Sequence, residues 1–339
     1  YISIGDPVNI ISNLAKQNDI SEVCWNRPYD KKNIELDKRI TLLLDDLNIK
    51  SKTFNGSLLW EPWDITKKDK TYYKVFTPFY KNGCLKSSAP PKKPCGKPQK
   101  IKLLGLKGMS VSDLNLLPNN NWHESVIEGW DISESGAHKK LNSFLSLYVD
   151  NYKDGRNYPD KNNVSRLSPY LHFGQVSPNQ VWYMAKSCSD NDGLHCFLSE
   201  LGWREFSYSL LYRYPEIYKN NIQKKFDNFP WKINKKLLIL WQQGKTGYPI
   251  VDAGMRELWQ TGYMHGRVRM IVASFLVKNL LIHWKYGAAW FWDGLFDADL
   301  ASNSASWQWV AGCGMDAAPY FRIFNPVLQG EKFDKSGCY

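Results

Sequence analysis

Two tryptophans stand two positions apart in the stretch DADLASNSASWQWVAG, residues 297–312. In an α-helix, residues i and i+2 point about 200° apart, so a helix here would send Trp307 and Trp309 to opposite sides. The chain has 15 tryptophans, and such a density suggests stacking surfaces or redox use as well as packing. The spacing therefore predicts two different environments on one helix, next to the carboxylates of Asp297 and Asp299.

A second candidate is NVSRLSPYLHFG, residues 163–174, which has the composition of a helix start. Ser168 suits the N-cap position, and Pro169 suits the first helical position. Helix N-termini with neighbouring hydroxyl groups bind phosphate readily. Ser165, Ser168 and Arg166 could therefore hold a diphosphate, although simple helix capping explains the same residues.

The motif SELGWREF places Glu200, Trp203 and Arg204 at positions i, i+3 and i+4 of a predicted helix. Residues with this spacing share one helical face. A carboxylate beside an indole predicts a pocket with one polar wall and one apolar wall. An ordinary surface pair between Glu200 and Arg204 is the simpler alternative.

The motif MHGRVRM separates its two arginines. On a helix, Gly266, Arg267 and Met270 share a face, whereas Arg269 points elsewhere. A buried arginine without a partner is costly, so an inward Arg269 would need a carboxylate, and the two in the DADL stretch are available. The alternative is that both arginines are solvated.

Composition favours a folded, basic protein. The chain has 339 residues, enough for about two domains, and 43% of them are hydrophobic, which argues against a disordered chain. The net charge is +11, and eight lysines without any acidic residue lie between Lys81 and Ser112. Basic surfaces bind polyanions through counterion release, so the charge suggests a nucleic-acid partner, with a merely solvated surface as the alternative.

The cysteines and the longest apolar run argue against two classes of protein. Seven cysteines are scattered without any CxxC pair, which speaks against a disulfide framework or a metal site and for a reducing compartment. Polar residues interrupt the run Val268–Trp284, so it predicts a buried core helix rather than a membrane span. No signal peptide is visible, and the chain begins like the middle of a longer protein.

The order of predicted elements divides the chain in three. Residues 1–80 alternate helices with the strands SEVCWN and KSKTFNGSLLW, which suggests a doubly wound parallel sheet. No GxGxxG motif marks a dinucleotide site there. Residues 81–140 have the Pro, Lys and Asn content of a connector, and residues 141–339 show mainly helical periodicity.

Six ordered motifs together resemble the photolyase/cryptochrome family, and most closely its microbial class I cyclobutane pyrimidine dimer photolyases. They are SRLSPYLHFG, ELGWREF, WQQGKTGYPIVDAGMR, MHGRVRMIVASFLVKNLLIHW, DADLASNSASWQW and DAAPYFRIFNPVLQGEKFD. WNRPYD and YYKVFTPF resemble the antenna domain of that family. The resemblance implies a truncated doubly wound parallel α/β antenna domain in residues 1–80, a basic connector in 81–140, and a large helical FAD-binding domain in 141–339. By the same resemblance, the chain lacks the N-terminal start and the C-terminal end.

The resemblance implies FAD as the cofactor, in a folded conformation, with reduced FADH⁻ as the active form. Arg269 would pair with Asp297, and Asp299 would bond the flavin ring. Asn303 would lie beside flavin N5, where a neutral amide suits an anionic ring. The other residues of the implied cofactor site are Tyr152, Val164, Ser165, Arg166, Leu167, Ser168, Glu200, Arg204 and Gly266.

The resemblance also assigns the indoles. Trp203 and Trp309 would form two walls around a pyrimidine dimer flipped out of DNA, and Trp307 would face the interior beside the flavin. Trp231, Trp284 and Trp307 would form the electron-transfer chain that photoreduces the flavin. Under blue or near-UV light, an electron would pass from the flavin to the dimer, both ring bonds would split, and the electron would return.

Further residues would contact the substrate. Glu200 would bond the carbonyl edge of the dimer, where charge develops, and Met270 would pack against the dimer. The implied catalytic residues are Glu200, Trp203, Met270, Asn303 and Trp309. The implied DNA-contacting residues are Arg156, Trp203, Arg204, Arg267, Arg322 and Gln329.

Three positions depart from the pattern of class I. Val164 stands where threonine is usual, which removes one hydroxyl group from the phosphate-binding segment. Gly266 stands where asparagine is usual and leaves a gap between flavin and lesion. Tyr263 stands where tryptophan is commoner, and this exchange should be tolerated.

Other functions stay open as alternatives. The (6-4) photolyases need a pair of histidines around MHGRVRM, and the second histidine is missing here. Plant-type cryptochromes commonly carry an aspartate near flavin N5, where this chain has Asn303. A blue-light signalling cryptochrome that binds FAD without repairing DNA is the main alternative, and a non-enzymatic flavoprotein or DNA-binding module is the third.

The resemblance implies partners and a place in the cell. An antenna chromophore, either methenyltetrahydrofolate or a deazaflavin, would accompany FAD, and no metal is expected. Damaged DNA would be the partner of a monomer that does not attach to membranes. The protein would work in the bacterial cytoplasm, in association with the nucleoid.

Overall fold

The computed structural model describes residues 1–339, and the chain forms two compact units. The α/β unit comprises Tyr1–Ser57 with Pro94–Glu124, and the helical unit comprises Leu58–Lys93 with Ser125–Tyr339. The domain limits predicted at residues 80 and 140 stay a prediction, because compact units and family domains need not divide a chain at the same residues.

The α/β unit contains a parallel β–α–β crossover. Its elements are α1 (Pro7–Gln17), β1 (Glu22–Asn26), α2 (Lys31–Asp46) and β2 (Lys50–Phe54). β1 and β2 are parallel, with Glu22 opposite Lys50 and Asn26 opposite Phe54. α2 begins where the Asp30 side chain accepts a hydrogen bond from the backbone amide of Asn33.

An apolar cluster between the helices and the strands holds this crossover together. Its buried members are Ala15, Ile40, Leu44 and Ile49. Ile40 and Leu44 are four residues apart, so they share the face of α2 that packs inward. Residues 94–110 belong to the same unit and form neither helix nor strand.

The remaining elements are helices. They are α3 (Phe76–Pro78, continued by a π-helix over Phe79–Cys84), α4 (Trp122–Ile127), α5 (Glu134–Leu147), α6 (Tyr152–Gly155), α7 (Ser168–Phe173), α8 (Pro178–Ala185), α9 (Asp192–Arg213), α10 (Lys235–Gln242), α11 (Pro249–Thr261), α12 (Gly266–Ser274, continued by a π-helix over Phe275–Asn279), α13 (Trp284–Gly294), α14 (Leu300–Ala311) and α15 (Pro326–Phe333). Short 3₁₀ turns occupy Ser112–Leu114 and Lys224–Phe226.

The helical unit is organised around α9 and α14, which pack against each other. One apolar cluster surrounds α9 and includes Phe144, Leu201 and Phe206. A second cluster joins α10 to α14 and includes Trp241 and Trp284. Because α9 is covered on several sides, its apolar residues do not form a single stripe.

The predicted single helix over Val268–Trp284 is wrong in extent. α12 ends at Ser274, the π-helix ends at Asn279, and a new helix starts at Trp284. Leu281 between them has φ 56°, in the left-handed region that no helix continues through. The run contains neither glycine nor proline, and its local signals for a helix end are Lys278 and Asn279, where the π-helix stops.

No helix of the molecule combines the length and the apolar composition needed to cross a lipid bilayer. Nowhere do three or more His, Cys, Asp or Glu side chains come together in an arrangement that could hold a metal ion. All seven cysteines are free thiols.

Candidate cofactor and substrate cavity

A cavity of about 580 Å³ lies within the helical unit. Residues of α9, α12, α14 and the segment 164–168 form its walls. Every implied cofactor residue and every implied catalytic residue lines it. Of the implied DNA contacts, Arg322 and Gln329 do not line the cavity, and of the implied electron-transfer residues only Trp307 does.

An ion pair between Arg269 and Asp297 crosses the cavity wall. The Arg269 Nη1 and Nη2 atoms donate to the two oxygens of Asp297 at 3.0 and 2.9 Å, and Arg269 Nε donates to the Met264 carbonyl at 2.7 Å. The predicted pairing of an inward Arg269 with a DADL carboxylate is therefore present. The Asp297 side chain is only 4% exposed, so this pair is largely desolvated.

The hydroxyl group of Ser168 joins the same carboxylate. Ser168 Oγ donates to Asp297 Oδ2 at 2.5 Å. The prediction that Ser168 is an N-cap is wrong, because Leu167 precedes the helix and Ser168 is its first residue, without a side-chain cap. As an N-cap, the hydroxyl oxygen would accept from a backbone N–H group. Here the hydroxyl donates its hydrogen to a carboxylate instead, which is a charge-assisted hydrogen bond.

Arg166 has a strained backbone, and one N–H group of its side chain has no hydrogen-bond partner. Its backbone has φ 50°, and its guanidinium lies 5.0 Å from the centre of the Tyr263 ring. The Nε atom of Arg166 is buried without a hydrogen-bond partner. A buried N–H donor at the wall of a cavity is suited to an anionic ligand atom there.

Glu200 pairs with Arg156. A hydrogen-bonded ion pair joins Glu200 Oε1 to Arg156 Nη1. Arg156 also reaches the Cys196 sulfur at 3.4 Å and lies over the Tyr152 ring, 5.4 Å from its centre. Arg156 is 44 residues from Glu200, so the helical spacing of SELGWREF did not predict this partner.

The two half-buried indoles of the cavity are Trp203 and Trp309. Phe76 stacks on Trp203, with ring centres 3.8 Å apart and planes 10° apart, so one face of this indole is already covered. The ring of Trp309 lies 6.3 Å from that of Phe324. Both indoles are therefore held by neighbouring aromatic rings while they still border the cavity.

Trp307 lies deeper than Trp309. It is 2% exposed, and its ring centre lies 5.0 Å from that of Phe291 and 6.3 Å from that of Trp241. α14 carries both tryptophans, so the predicted difference in environment holds, although both border the same cavity. Trp241 is fully buried, and although it begins the motif WQQGKTGYPIVDAGMR, the sequence assigned it no role.

Gly287 in α13 makes room for Trp307. A Cβ atom at Gly287 would lie 2.1 Å from Trp307 Cη2, which no packed structure tolerates. Gly287→Ala should therefore push the indole away and lower the free energy of unfolding by about 1–3 kcal/mol, as for an overpacked core. Urea unfolding measures this.

Gly330 provides the matched control for that substitution. It also lies in a helix, and a Cβ atom there would meet only Ile250 Cβ, at 3.9 Å. Gly330→Ala should leave the protein as stable or stabilise it by up to about 1 kcal/mol. Equal effects of both substitutions would contradict the close contact at Gly287.

The implied electron-transfer residues beyond Trp307 are connected by aromatic rings. Trp284 is fully buried and donates from Nε1 to Asn221 Oδ1 at 2.8 Å. His283 lies between Trp284 and Trp231, with ring centres 5.5 and 5.1 Å away. Burial, followed by the charge of Lys285, lowers the pKa of His283 to about 4, so this ring is neutral at pH 7.

Asp299 and Asn303 are both oriented by hydrogen bonds. Asp299 caps α14 by accepting from the Ser302 amide at 2.8 Å, and its second oxygen accepts from the Tyr208 hydroxyl at 2.6 Å. Asn303 Nδ2 donates to the Ala288 carbonyl at 3.0 Å. The amide oxygen and the second N–H of Asn303 therefore remain for the cavity.

Gly266 leaves open space at the cavity. A Cβ atom there would meet no heavy atom within 4 Å. His265 before it caps α12, since its Nδ1 accepts from the Arg267 amide at 3.2 Å. Burial, reinforced by surrounding arginines, lowers the pKa of His265 to about 4, so the cap is neutral at pH 7.

The implied DNA contacts are divided between the cavity and its surroundings. Arg267 bonds Asn157 Oδ1, and its guanidinium lies 4.6 Å from the centre of the Phe333 ring. Arg322 is exposed and lies over Phe324. The Oε1 atom of Gln329 is buried without a hydrogen-bond partner.

Glu205 is buried behind Arg204. It accepts hydrogen bonds from the backbone amides of Leu59 and Trp60 at 2.9 and 3.2 Å, and it lies 3.4 Å from the Arg204 guanidinium. Burial raises the pKa of Glu205 to about 7, against the opposing effect of Arg204 and of the two amides.

The raised pKa of Glu205 predicts a pH dependence of stability. The unfolded carboxyl loses its proton near pH 4.5, whereas the folded one keeps it until about pH 7. The free energy of unfolding should therefore fall between those pH values, by about 3 kcal/mol for this group, and stay level above them. Glu205→Gln should flatten that slope in urea unfolding, and Glu331→Gln, at an exposed glutamate, should not.

Comparison with known proteins shows the family of this chain. Residues 197–339 match the FAD binding domain of DNA photolyase, and residues 1–98 match the DNA photolyase domain. The chain is 44% identical to the deoxyribodipyrimidine photo-lyase of Agrobacterium fabrum, over all of this chain and 71% of that protein. It belongs to the photolyase/cryptochrome family.

Other members of this family match as well. Cryptochrome-1 of Arabidopsis thaliana is 33% identical, over 98% of this chain and 51% of that protein. A solved bacterial class III photolyase from Agrobacterium tumefaciens superposes with a TM-score of 0.90 at 43% identity, covering 99% of this chain and 70% of that one. The predicted fold class, a photolyase α/β domain followed by a helical FAD-binding domain, is confirmed. The assignment to class I stays a prediction.

Proposed function

We propose that this chain repairs cyclobutane pyrimidine dimers in DNA with light, using reduced FAD. One observation carries the proposal: a single cavity is bordered both by the polar residues expected for a flavin and by the two half-buried indoles expected for a flipped-out base pair. When bound, reduced FAD supplies an electron on excitation with blue light and takes it back.

The residues of the cavity fit such a cofactor. Its volume of about 580 Å³ lies in the range usual for cofactor pockets. The unpartnered Nε of Arg166 and the hydroxyl of Ser165 lie where a phosphate or ribityl oxygen would be satisfied. The pair of Arg269 with Asp297 ties α12 to the start of α14 and so fixes the distance across the cavity.

The substrate side would be built by the indoles and by Glu200. Stacking on Trp203 and Trp309 would offset part of the cost of extracting the dimer, at about 1–3 kcal/mol per base. An ionised carboxylate accepts but cannot donate, so on the carbonyl edge of the dimer Glu200 would accept a hydrogen bond from an N–H group. Arg156 holds Glu200 in place at the cavity until then.

Positive charge would hold the DNA. Arg156 and Arg267 border the cavity, and the chain as a whole carries a net charge of +11. Damaged DNA is the proposed partner, bound by a monomer associated with the nucleoid of a bacterial cell. Affinity for a dimer-containing duplex should fall steeply as salt concentration rises, because bound phosphates release their counterions.

The decisive experiment compares light with darkness. Protein reconstituted with FAD and reduced chemically is mixed with an oligonucleotide that carries a thymine dimer, and restored thymine is followed by its absorbance. Restoration only under blue light supports the proposal. Equal restoration in darkness, or none in either condition with FAD bound, would contradict it.

A second candidate is a blue-light signalling cryptochrome that binds FAD without repair. The identity with cryptochrome-1 of Arabidopsis thaliana, 33%, favours it. The same experiment separates the two, because a pure photoreceptor would photoreduce its flavin and leave the dimer intact. Absorption spectra recorded alongside would also show whether methenyltetrahydrofolate or a deazaflavin accompanies FAD as the proposed antenna.

A further inference from the structure

Tyr208 on α9 lies behind the cavity and touches two charged residues that line it. Its hydroxyl donates to Asp299 Oδ2 at 2.6 Å, and the guanidinium of Arg204 lies 5.1 Å from the centre of its ring. Arg204 and Asp299 border the cavity, whereas Tyr208 itself does not. Tyr208 therefore connects the α9 wall to the α14 wall from outside.

The carboxylate of Asp299 is held on both of its oxygens. One oxygen accepts from the Ser302 amide at 2.8 Å, which caps α14, and the other accepts from Tyr208. Each carboxylate oxygen can accept more than one hydrogen bond, so the group keeps capacity for a ligand in the cavity. Its direction is set by these two donors before any ligand binds.

The phenol is a permanent donor in this arrangement. Burial, and then the negative charge of Asp299, raise the pKa of Tyr208 well above its usual value, so the hydroxyl keeps its proton across the physiological range. A hydrogen bond from a neutral donor disperses part of the negative charge of a carboxylate. The ring also lies against Arg204, whose guanidinium is 3.4 Å from the Glu205 carboxylate.

We propose that Tyr208 is a positioning residue that fixes the direction and weakens the charge of Asp299 where that carboxylate meets the flavin. This inference rests on the proposed function, since it needs FAD in the cavity. Its consequence concerns the reduced, anionic flavin, which a concentrated negative charge nearby would disfavour. Without the hydroxyl, reduction of the bound flavin should become harder.

The test is Tyr208→Phe, which removes one oxygen and keeps the ring over Arg204. The dissociation constant of FAD should rise by roughly tenfold, as for the loss of a hydrogen bond to a charged group, and the midpoint potential of the bound flavin should fall. The control is Tyr183→Phe, because Tyr183 also donates a single phenolic hydrogen bond, to the Pro91 carbonyl at 2.6 Å, away from the cavity. It should change neither quantity.

The same substitution in an Asp299→Asn variant separates a positioning role of Tyr208 from general damage to the fold. Asparagine is also a good N-cap, so Asp299→Asn should keep α14 while it removes the charge. If Tyr208 acts through that charge, Tyr208→Phe should lower the midpoint potential of the bound flavin in the wild-type protein. In a protein that already carries Asp299→Asn, adding Tyr208→Phe should leave that potential nearly unchanged. Thermal unfolding of each apoprotein by circular dichroism shows that the variants fold.

The outcomes are distinguishable. An unchanged potential and unchanged FAD affinity in Tyr208→Phe, with normal FAD binding by the wild type, would overturn the role of Tyr208 alone. The same shift in both backgrounds would also overturn it, because the effect would not pass through Asp299. Failure of the wild type to bind FAD at all would overturn the proposed function and this inference together.

Discussion

Replacing Trp307 with phenylalanine is expected to abolish light-driven reduction of the oxidised flavin, while repair by chemically pre-reduced protein stays near the wild-type rate. Trp307 borders the cavity and is 2% exposed, so it is the indole that can pass an electron to the flavin from the interior. Phenylalanine keeps an aromatic ring at the site but is far harder to oxidise. Flavin absorbance under illumination and dimer repair by reduced protein measure the two activities separately.

Trp309→Phe is the matched control, because Trp309 lies on the same helix and borders the same cavity. It should show the reverse pattern, with photoreduction retained and affinity for dimer-containing DNA reduced. The loss of one indole stacking partner corresponds to about 1–3 kcal/mol. Photoreduction at the wild-type rate in Trp307→Phe would contradict the proposed electron path, and loss of both activities would indicate misfolding.

Arg269→Ala should destabilise the protein and eliminate FAD binding. The substitution leaves the carboxylate of Asp297 buried. Of its present side-chain partners, only the Ser168 hydroxyl would remain. Breaking a buried ion pair from one side typically costs about 3–5 kcal/mol, because a charge remains without compensation. Urea unfolding gives the stability, and the flavin absorbance of the purified protein gives the FAD content.

Lys153→Ala provides the comparison for an exposed pair. Lys153 lies 2.7 Å from Asp192, and their side chains are 60% and 78% exposed. Solvent screens such a pair, so its loss should change the free energy of unfolding far less than Arg269→Ala does, and it should leave FAD binding intact. If Arg269→Ala were as mild as Lys153→Ala, the central role assigned to the buried pair would be wrong.

Much of the cavity was predictable from local patterns. MHGRVRM separates an inward Arg269 from Arg267 on another face of the helix, and the structure pairs Arg269 with Asp297. The pair Trp307 and Trp309 predicted two environments because the period of a helix allows no other result. The parallel strands of the α/β unit followed from the alternation of helices and strands predicted in residues 1–80.

The contacts that orient the site were not predictable in the same way. Glu200 pairs with Arg156 and Asp299 with Tyr208, in each case across a long separation in sequence. Ser168 is the first residue of α7 rather than its cap, and its hydroxyl donates to Asp297, which is 129 residues away along the chain. Gly287 reads as an ordinary helical residue until Trp307 is packed against it.

The sequence by itself determined which residues share a helical face and to which family the chain belongs, since helical periodicity and the order of motifs can be read along the chain. Only the tertiary structure decided which charge meets which, and where α12 ends. Desolvation is the physical reason, because a buried charge or hydroxyl needs a partner. That partner is whichever group the packing brings near, and it can be far away along the sequence.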